Sequence, residues 1–150
     1  MKLSAGIMLF RRKEGGVEIL LVHPGGPFWK NKDEGAWSIP KGEFTENEQL
    51  LDAAKREFAE ETGFTCEGPF IELTPLKQKS GKLIYAFAAE KDIDATGINS
   101  NTFQMEWPPK SGMLKDFPEI DRAEWFSVND ALLKINAGQA KFIEELLTKL

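Results

Sequence analysis

The chain has 150 residues, 41% apolar and 29% charged, with a net charge of −5. At ~100–200 residues per domain this is one domain, 1–150, large enough to bury a core. The composition excludes collagen-like, low-complexity and disordered chains.

The single cysteine, Cys66, excludes an intrachain disulfide and fits a reducing compartment. The single histidine, His23, excludes a histidine-rich metal site. With so few soft ligands, any bound metal has to be held by oxygen, which points to magnesium, calcium or manganese. The acidic balance argues against a polymeric nucleic acid as partner. It leaves room for a nucleotide whose charge a divalent ion offsets. The apolar stretch Leu3 to Phe10 is too short to span a bilayer and no small-residue cleavage site follows it. The expectation is a cytoplasmic protein without membrane association, as a monomer or homodimer.

In chain order, Ser4–Phe10 reads as a strand, Glu14-Gly15-Gly16 as a turn, and Val17–Val22 as the antiparallel partner. The strand ends at His23-Pro24-Gly25-Gly26-Pro27, where a histidine is structural, solvated or in reach of a phosphate. Ala36–Ile39 reads as a short strand stopped by Pro40. Asn47–Thr62 is the clearest helix, with Leu50, Leu51, Ala54 and Phe58 on one face. Thr45 or Asn47 is the expected cap and Gly63 the expected stop. Strand-like runs follow at Cys66–Leu76, Lys82–Ala89 and Thr102–Trp107, and a short one at Glu124-Trp125-Phe126. Cys66 reads as a buried, inert thiol. Ser127-x-x-Asp130 starts a short helix in the manner of a capping box. Gln139–Leu150 is amphipathic, with Phe142, Ile143, Leu146 and Leu147 on one face. This order predicts an α/β fold with a mixed β-sheet between helices.

The central helix breaks its own local rules. Glu57, Glu60 and Glu61 crowd its last turn at three- and four-residue spacing, with Lys55 and Arg56 as the nearby offsets. Like charges so placed cost ~0.2–0.5 kcal/mol per pair. Their position at the negative end of the helix dipole costs another ~0.3–1 kcal/mol each. A divalent cation would convert that repulsion into coordination. Without further context, a solvated acidic face explains the cluster as well.

The wider spacing supplies that context. Gly42, Glu48, Arg56, Glu57, Phe58, Glu60, Glu61, Gly63 and Phe64 resemble the complete Nudix box, G-x5-E-x7-R-E-U-x-E-E-x-G-U, with U a bulky apolar residue. Seven fixed positions at a residue frequency of ~0.07 coincide by chance on the order of 10⁻⁸. The resemblance covers 23 residues directly, and the order of elements around them fits the family's α/β/α sandwich. It implies that Glu57, Glu60 and Glu61, with Gly42 in the same set, hold magnesium, for which manganese can substitute. It also implies that Arg56 orients a box glutamate. From the residues themselves, Gly42 lets the chain enter a tight loop that a Cβ would obstruct.

The family hydrolyses a nucleoside diphosphate linked to another group. Pro40-Lys41-Gly42 resembles the branch acting on dinucleoside polyphosphates, in which a lysine contacts additional phosphate; a solvated Lys41 is the alternative. In that branch a tyrosine stacks on a nucleobase, a role open to Tyr85 alongside core packing. Trp37 reads more readily as core than as a base platform. A glutamate beyond the box can serve as general base, with Glu119 the first candidate and Glu106 the second. Trp107-Pro108-Pro109 with Lys110 reads as a loop over the site. The leading expectation is a magnesium-dependent hydrolase of dinucleoside polyphosphates. The alternatives are a pyrophosphatase for nucleoside triphosphates or nucleotide sugars, and a catalytically silent nucleotide-binding domain.

Overall fold

The first strand, β1 (Leu3–Lys13), is apolar on both faces because it is covered on both. Ala5, Ile7 and Leu9 belong to one core cluster, and Met8 and Phe10 to another. In the computed structural model, which describes residues 2–150, β1 is central to a seven-stranded mixed sheet. One of its edges pairs in parallel with β6 (Leu83–Glu90). Its other edge is shared. Phe10–Lys13 pair with β2 (Gly16–Pro24), and Leu3–Gly6 pair with β3 (Lys41–Phe44), both antiparallel.

That split edge shapes the molecule. β2 diverges from β1 and continues into β9 (Ile120–Ser127), which it pairs antiparallel. The segment 38–41 fills the opening, tied by Val22 N to Ser38 O and by Ile7 N to Pro40 O. Gly6 is needed there, because a Cβ would lie 2.4 Å from the Pro40 carbonyl oxygen. The strand expected at Ala36–Ile39 is instead two isolated bridges, Val22 to Ser38 and Trp37 to Ile135. Trp37 is the reason. It is 1% exposed, edge-on to Phe126 and His23, with Nε1 donating to Asp33 at 2.9 Å. It is a core residue.

α1 (Leu50–Thr62) packs on one face of the sheet through Ala53, Ala54 and Phe58. It starts three residues later than the sequence pattern suggests, with Gln49 at the cap and no side-chain capping bond. Residues 45–48 form a turn closed by Glu48 N to Thr45 O, so neither Thr45 nor Asn47 caps the helix. Gly63 ends it as expected, at φ 79°.

The long run after Cys66 is broken into β4 (Phe70–Glu72) and β5 (Leu76–Lys77), both antiparallel to β6. Cys66 itself is buried in the α1-side core, before β4 begins. β7 (Thr102–Glu106) pairs with β8 (Leu114–Pro118), a strand whose mostly exposed sequence hid it, to form a separate two-stranded hairpin.

On the opposite face of the sheet lie α2 (Val128–Lys134), capped by Ser127 accepting from Asp130 N, and α3 (Ala140–Lys149). α3 buries Phe142, Ile143 and Leu146; Leu147 is 41% exposed and does not share that face. The result is the expected sheet between helices. Among the described residues no helix is long and apolar enough to cross a membrane.

Candidate active site

The last turn of α1 faces β3, and Gly42 makes that approach possible. A Cβ on Gly42 would fall 1.9 Å from Glu57 Oε2 and 2.2 Å from its Cδ. Gly42 sits in a strand with no positive φ, so the obstruction it avoids is the Glu57 carboxylate and not a tight turn. Glu57 is buried. Its Oε1 accepts from Arg56 Nη1 at 2.7 Å, while Oε2 faces the Gly42 cradle.

Arg56 is a hub. Its Nε and Nη2 bond Glu48 at 2.7 and 2.9 Å, and its Nη1 reaches Glu57 and, at 3.2 Å, Glu60. It thereby draws Glu60 aside, so the three glutamates of this turn do not act alike. Glu57 and Glu61 converge on β3, and Glu60 leans on the arginine. Glu61 Oε1 accepts from the backbone N–H of Lys41 at 3.0 Å.

Glu119, distant in sequence, lines the same recess. Glu119 N donates to Asn101 O, Asn101 N donates to Glu60 O, and Gly25 N donates to Glu119 O. These bonds link the end of α1, the β8–β9 corner and the end of β2. Gly25 is essential to the last, since its Cβ would stand 2.0 Å from the Pro118 carbonyl oxygen. Glu119, Glu61 and Lys41 line one cavity of about 140 Å³ with Val22, Pro24, Ser38 and Ile120.

The electrostatics record this crowding. Burial pushes Glu61 up to about 8; the Lys41 N–H opposes it, and the carboxylates of Glu119 and Glu57 add to it. Glu57 is raised because burial outweighs Arg56. Glu119 is raised by burial and by Glu60. Lys41 is lowered, first by burial and then by the charge of Lys82. Several groups shifted toward neutrality in one cleft mark a functional site.

The other candidates lie elsewhere. Tyr85 packs edge-on to Phe44 at 6.4 Å, on the α1 side of β6, and lines none of the cavities that Lys41 lines. Glu106 accepts from Lys110 N at 2.6 Å and closes the tip of the β7–β8 hairpin. At that tip Trp107 meets Phe28 edge-on at 5.6 Å. His23 is fully buried and bonded at both ring nitrogens, to Asp121 Oδ1 and to the Lys32 carbonyl, which makes it structural. Gln139 escaped notice in the sequence. It is 3% exposed, and its Oε1 accepts from Ile39 N at 3.1 Å, holding the segment that leads into Lys41. A lone glutamine at a helix start has no spacing pattern to announce it.

Among the described residues no three acidic, histidine or cysteine side chains already stand in ion-ligating geometry. The donor set nevertheless suits a hard cation. Its members are carboxylates, Glu57 Oε2 faces a space that any Cβ would fill, and mutual repulsion raises their affinity for positive charge.

The NUDIX domain family profile matches residues 1–146. The chain belongs to the NUDIX family. Members of this family generally use divalent metal ions. The chain is 30% identical over 140 residues to the Caenorhabditis elegans protein named "Putative nudix hydrolase 1", covering 91% of this chain and 31% of that protein. It is 37% identical over 79 residues to an RNA pyrophosphohydrolase of Caulobacter vibrioides, covering 49% and 42% respectively. The NUDIX chain thus spans less than half the length of these curated relatives. A C. elegans Ap4A hydrolase, solved as a binary complex, superposes with a TM-score of 0.65 at 18% identity over 97% of this chain and 96% of that one. The NUDIX domain of Shewanella oneidensis NrtR, solved with ADP ribose, gives 0.64 at 19% identity over 98% and 86%. At these identities the two structures establish a shared fold.

Proposed function

We propose that this NUDIX chain is a magnesium-dependent hydrolase that cleaves the pyrophosphate linkage of a nucleoside diphosphate joined to another group. The substrate class we favour is a dinucleoside polyphosphate. The observation that carries the reading is the cavity shared by Glu61, Glu119 and Lys41, with Glu57 held against Gly42 beside it. It brings carboxylates suited to a hard cation and an ammonium group suited to phosphate into one recess.

Glu57, Glu61 and, through a rotation away from Arg56, Glu60 would hold the ion, with Gly42 giving the backbone room for it. The ion would neutralise phosphate charge and lower the pKa of an attacking water. Arg56 is a positioning residue, fixing Glu57 through Nη1 while Glu48 fixes Arg56. Glu119, with its carboxyl raised by burial and Glu60, is suited to take a proton from water entering the recess. Lys41 offers a donor to phosphate oxygens as a mobile point charge. Phosphoryl chemistry asks for little more than such positioning and charge. The named relatives point the same way, as a nudix hydrolase, an RNA pyrophosphohydrolase and an Ap4A hydrolase. We place the protein in the cytoplasm, acting on a small nucleotide as one domain.

Parallel assays on a dinucleoside tetraphosphate, a nucleoside triphosphate and a nucleotide sugar, with products resolved by chromatography, test the assignment. The expected result is preferential cleavage of the tetraphosphate to two nucleotides. Preference for either other substrate moves the assignment to that class, and binding without cleavage of any makes the domain a silent nucleotide binder.

A further inference from the structure

Lys41 lines a second, larger space. This groove of about 610 Å³ is walled on one side by the turn of Lys77, Gln78, Lys79, Ser80 and Lys82 and on the other by residues 136–139. A contiguous hollow shares Lys77, Ser80 and Lys82 and adds Lys2. Among the described residues no acidic side chain lines either space. In a chain with a net charge of −5, five lysines line these two adjoining spaces. Lys82 has a distant partner, Glu43 at 3.5 Å. Lys77 and Lys79 form no ion pair among the described residues.

The groove is built, and its walls are fastened. Lys77 ends β5, and residues 78–82 make the turn into β6, closed by Gln78 N to Lys82 O at 2.7 Å and by Gly81 N to Gln78 O at 2.9 Å. The turn is pinned across the groove by Gln78 Nε2 donating to Gly138 O at 3.0 Å. The same short segment carries Gln139, whose Oε1 holds Ile39 and so the approach to Lys41. One segment, 136–139, therefore sets the spacing between the lysine turn and Lys41.

We propose that this groove is a polyphosphate subsite, holding phosphates beyond the linkage that the carboxylate recess cleaves. Lysine ammonium groups suit a flexible run of phosphates, since each is a mobile point charge and none demands a fixed bidentate geometry. The identification of the ligand as the distal part of a substrate rests on the hydrolase reading. The affinity of the groove for polyphosphate does not.

Metal-free protein is titrated with inorganic tripolyphosphate at low salt by calorimetry. Wild type binds, and binding weakens as ionic strength approaches ~0.1 M, where the screening length is ~10 Å. Lys77→Ala/Lys79→Ala loses at least ~tenfold in affinity, as for two lost charge-assisted contacts. Lys115→Ala/Lys141→Ala, which removes the same charge from exposed positions elsewhere, loses less than ~twofold. Lys77→Gln/Lys79→Gln repeats the first result with side chains that keep much of the length, and unchanged melting curves show that the fold is kept. Equal losses in the two alanine pairs, or no binding by wild type, overturns the subsite. If none of the nucleotides is hydrolysed while the calorimetric result holds, the hydrolase reading fails and the anion site stands.

Discussion

Helices α1 and α3 cover opposite faces of one sheet and obey different rules. α3 is locally consistent. Its apolar stripe is buried, Lys149 sits in its last turn, and Glu145 is paired with Lys149 at 3.0 Å and with Thr74 N at 2.8 Å. Its glutamate is held below the usual carboxylate range by those partners. α1 has no basic residue in its last turn, buries Glu57, and holds Glu61 up to about 8. The same fold tolerates both because α3 only has to cover a core, whereas α1 also has to present charge. Local inconsistency without compensation is where function shows.

The strongest way to break the contrast is Gly42→Ala. The new Cβ cannot coexist with the Glu57 carboxylate at 1.9 Å, so Glu57 or β3 must move. We expect loss of stability of ~1–3 kcal/mol and hydrolysis lowered at least ~hundredfold, since a misplaced group in a reacting site costs that much. Chemical denaturation and steady-state rates measure both.

Glu61→Gln separates chemistry from folding. The amide oxygen can still accept from Lys41 N, but the charge is gone. Hydrolysis falls ~hundredfold or more, while metal-free stability matches wild type near pH 4.5 and exceeds it increasingly as pH rises, because the amide has no charge to desolvate. Wild-type turnover in this variant removes Glu61 from the reaction, and a large loss of stability makes it structural.

Next in size is Lys41→Ala. Loss of a charge-assisted contact of ~1.5–3 kcal/mol lowers kcat/KM on a dinucleoside tetraphosphate at least ~tenfold more than on a nucleotide sugar. Equal losses confine Lys41 to shaping the segment before Gly42.

The pH dependence of stability also distinguishes the two helices. Folded protein keeps a proton on Glu61 up to about pH 8, and the unfolded chain releases it near 4.5. The stabilisation is therefore complete below about pH 4.5 and declines as pH rises toward 8, with a slope of at most ~1.4 kcal/mol per pH unit. Denaturant melts of metal-free protein should show the decline, and Glu61→Gln should flatten it. The smallest effect belongs to α3. Glu145→Ala removes two hydrogen bonds and an exposed pair, lowers stability by ~1 kcal/mol and leaves kcat unchanged.

Much of this was legible in the sequence, for reasons that differ by residue. Phe58 and Ala54 follow the helical period, and Gly63 is a left-handed stop, so α1 and its end could be read directly. The glutamate cluster was visible as a violation of helix electrostatics. What escaped notice depends on contacts distant in sequence. β8 is mostly exposed and lacks an alternating apolar pattern, so its pairing with β7 left no periodic trace. Trp37 was readable as core, but the strand expected around it is two isolated bridges, set by distant partners such as Ile135 and Val22. The lysine groove joins residues 60 apart through Gln78 and 100 apart through Gln139, and no local spacing encodes that. Glu119 could be named as a candidate, but its seat beside Glu61 depends on Gly25, which leaves room for the Pro118 carbonyl and donates its N–H to Glu119 O.

If the recess of Glu61 and Glu119, with Glu57 beside it, is a divalent-metal hydrolytic centre, hydrolysis requires the ion. Cleavage of a dinucleoside tetraphosphate, followed by chromatography before chelation, in excess chelator and after magnesium is restored, tests it directly. The expected result is two nucleotide products with magnesium, none in chelator, and recovery of the full rate on restoration. Undiminished cleavage in excess chelator would contradict it.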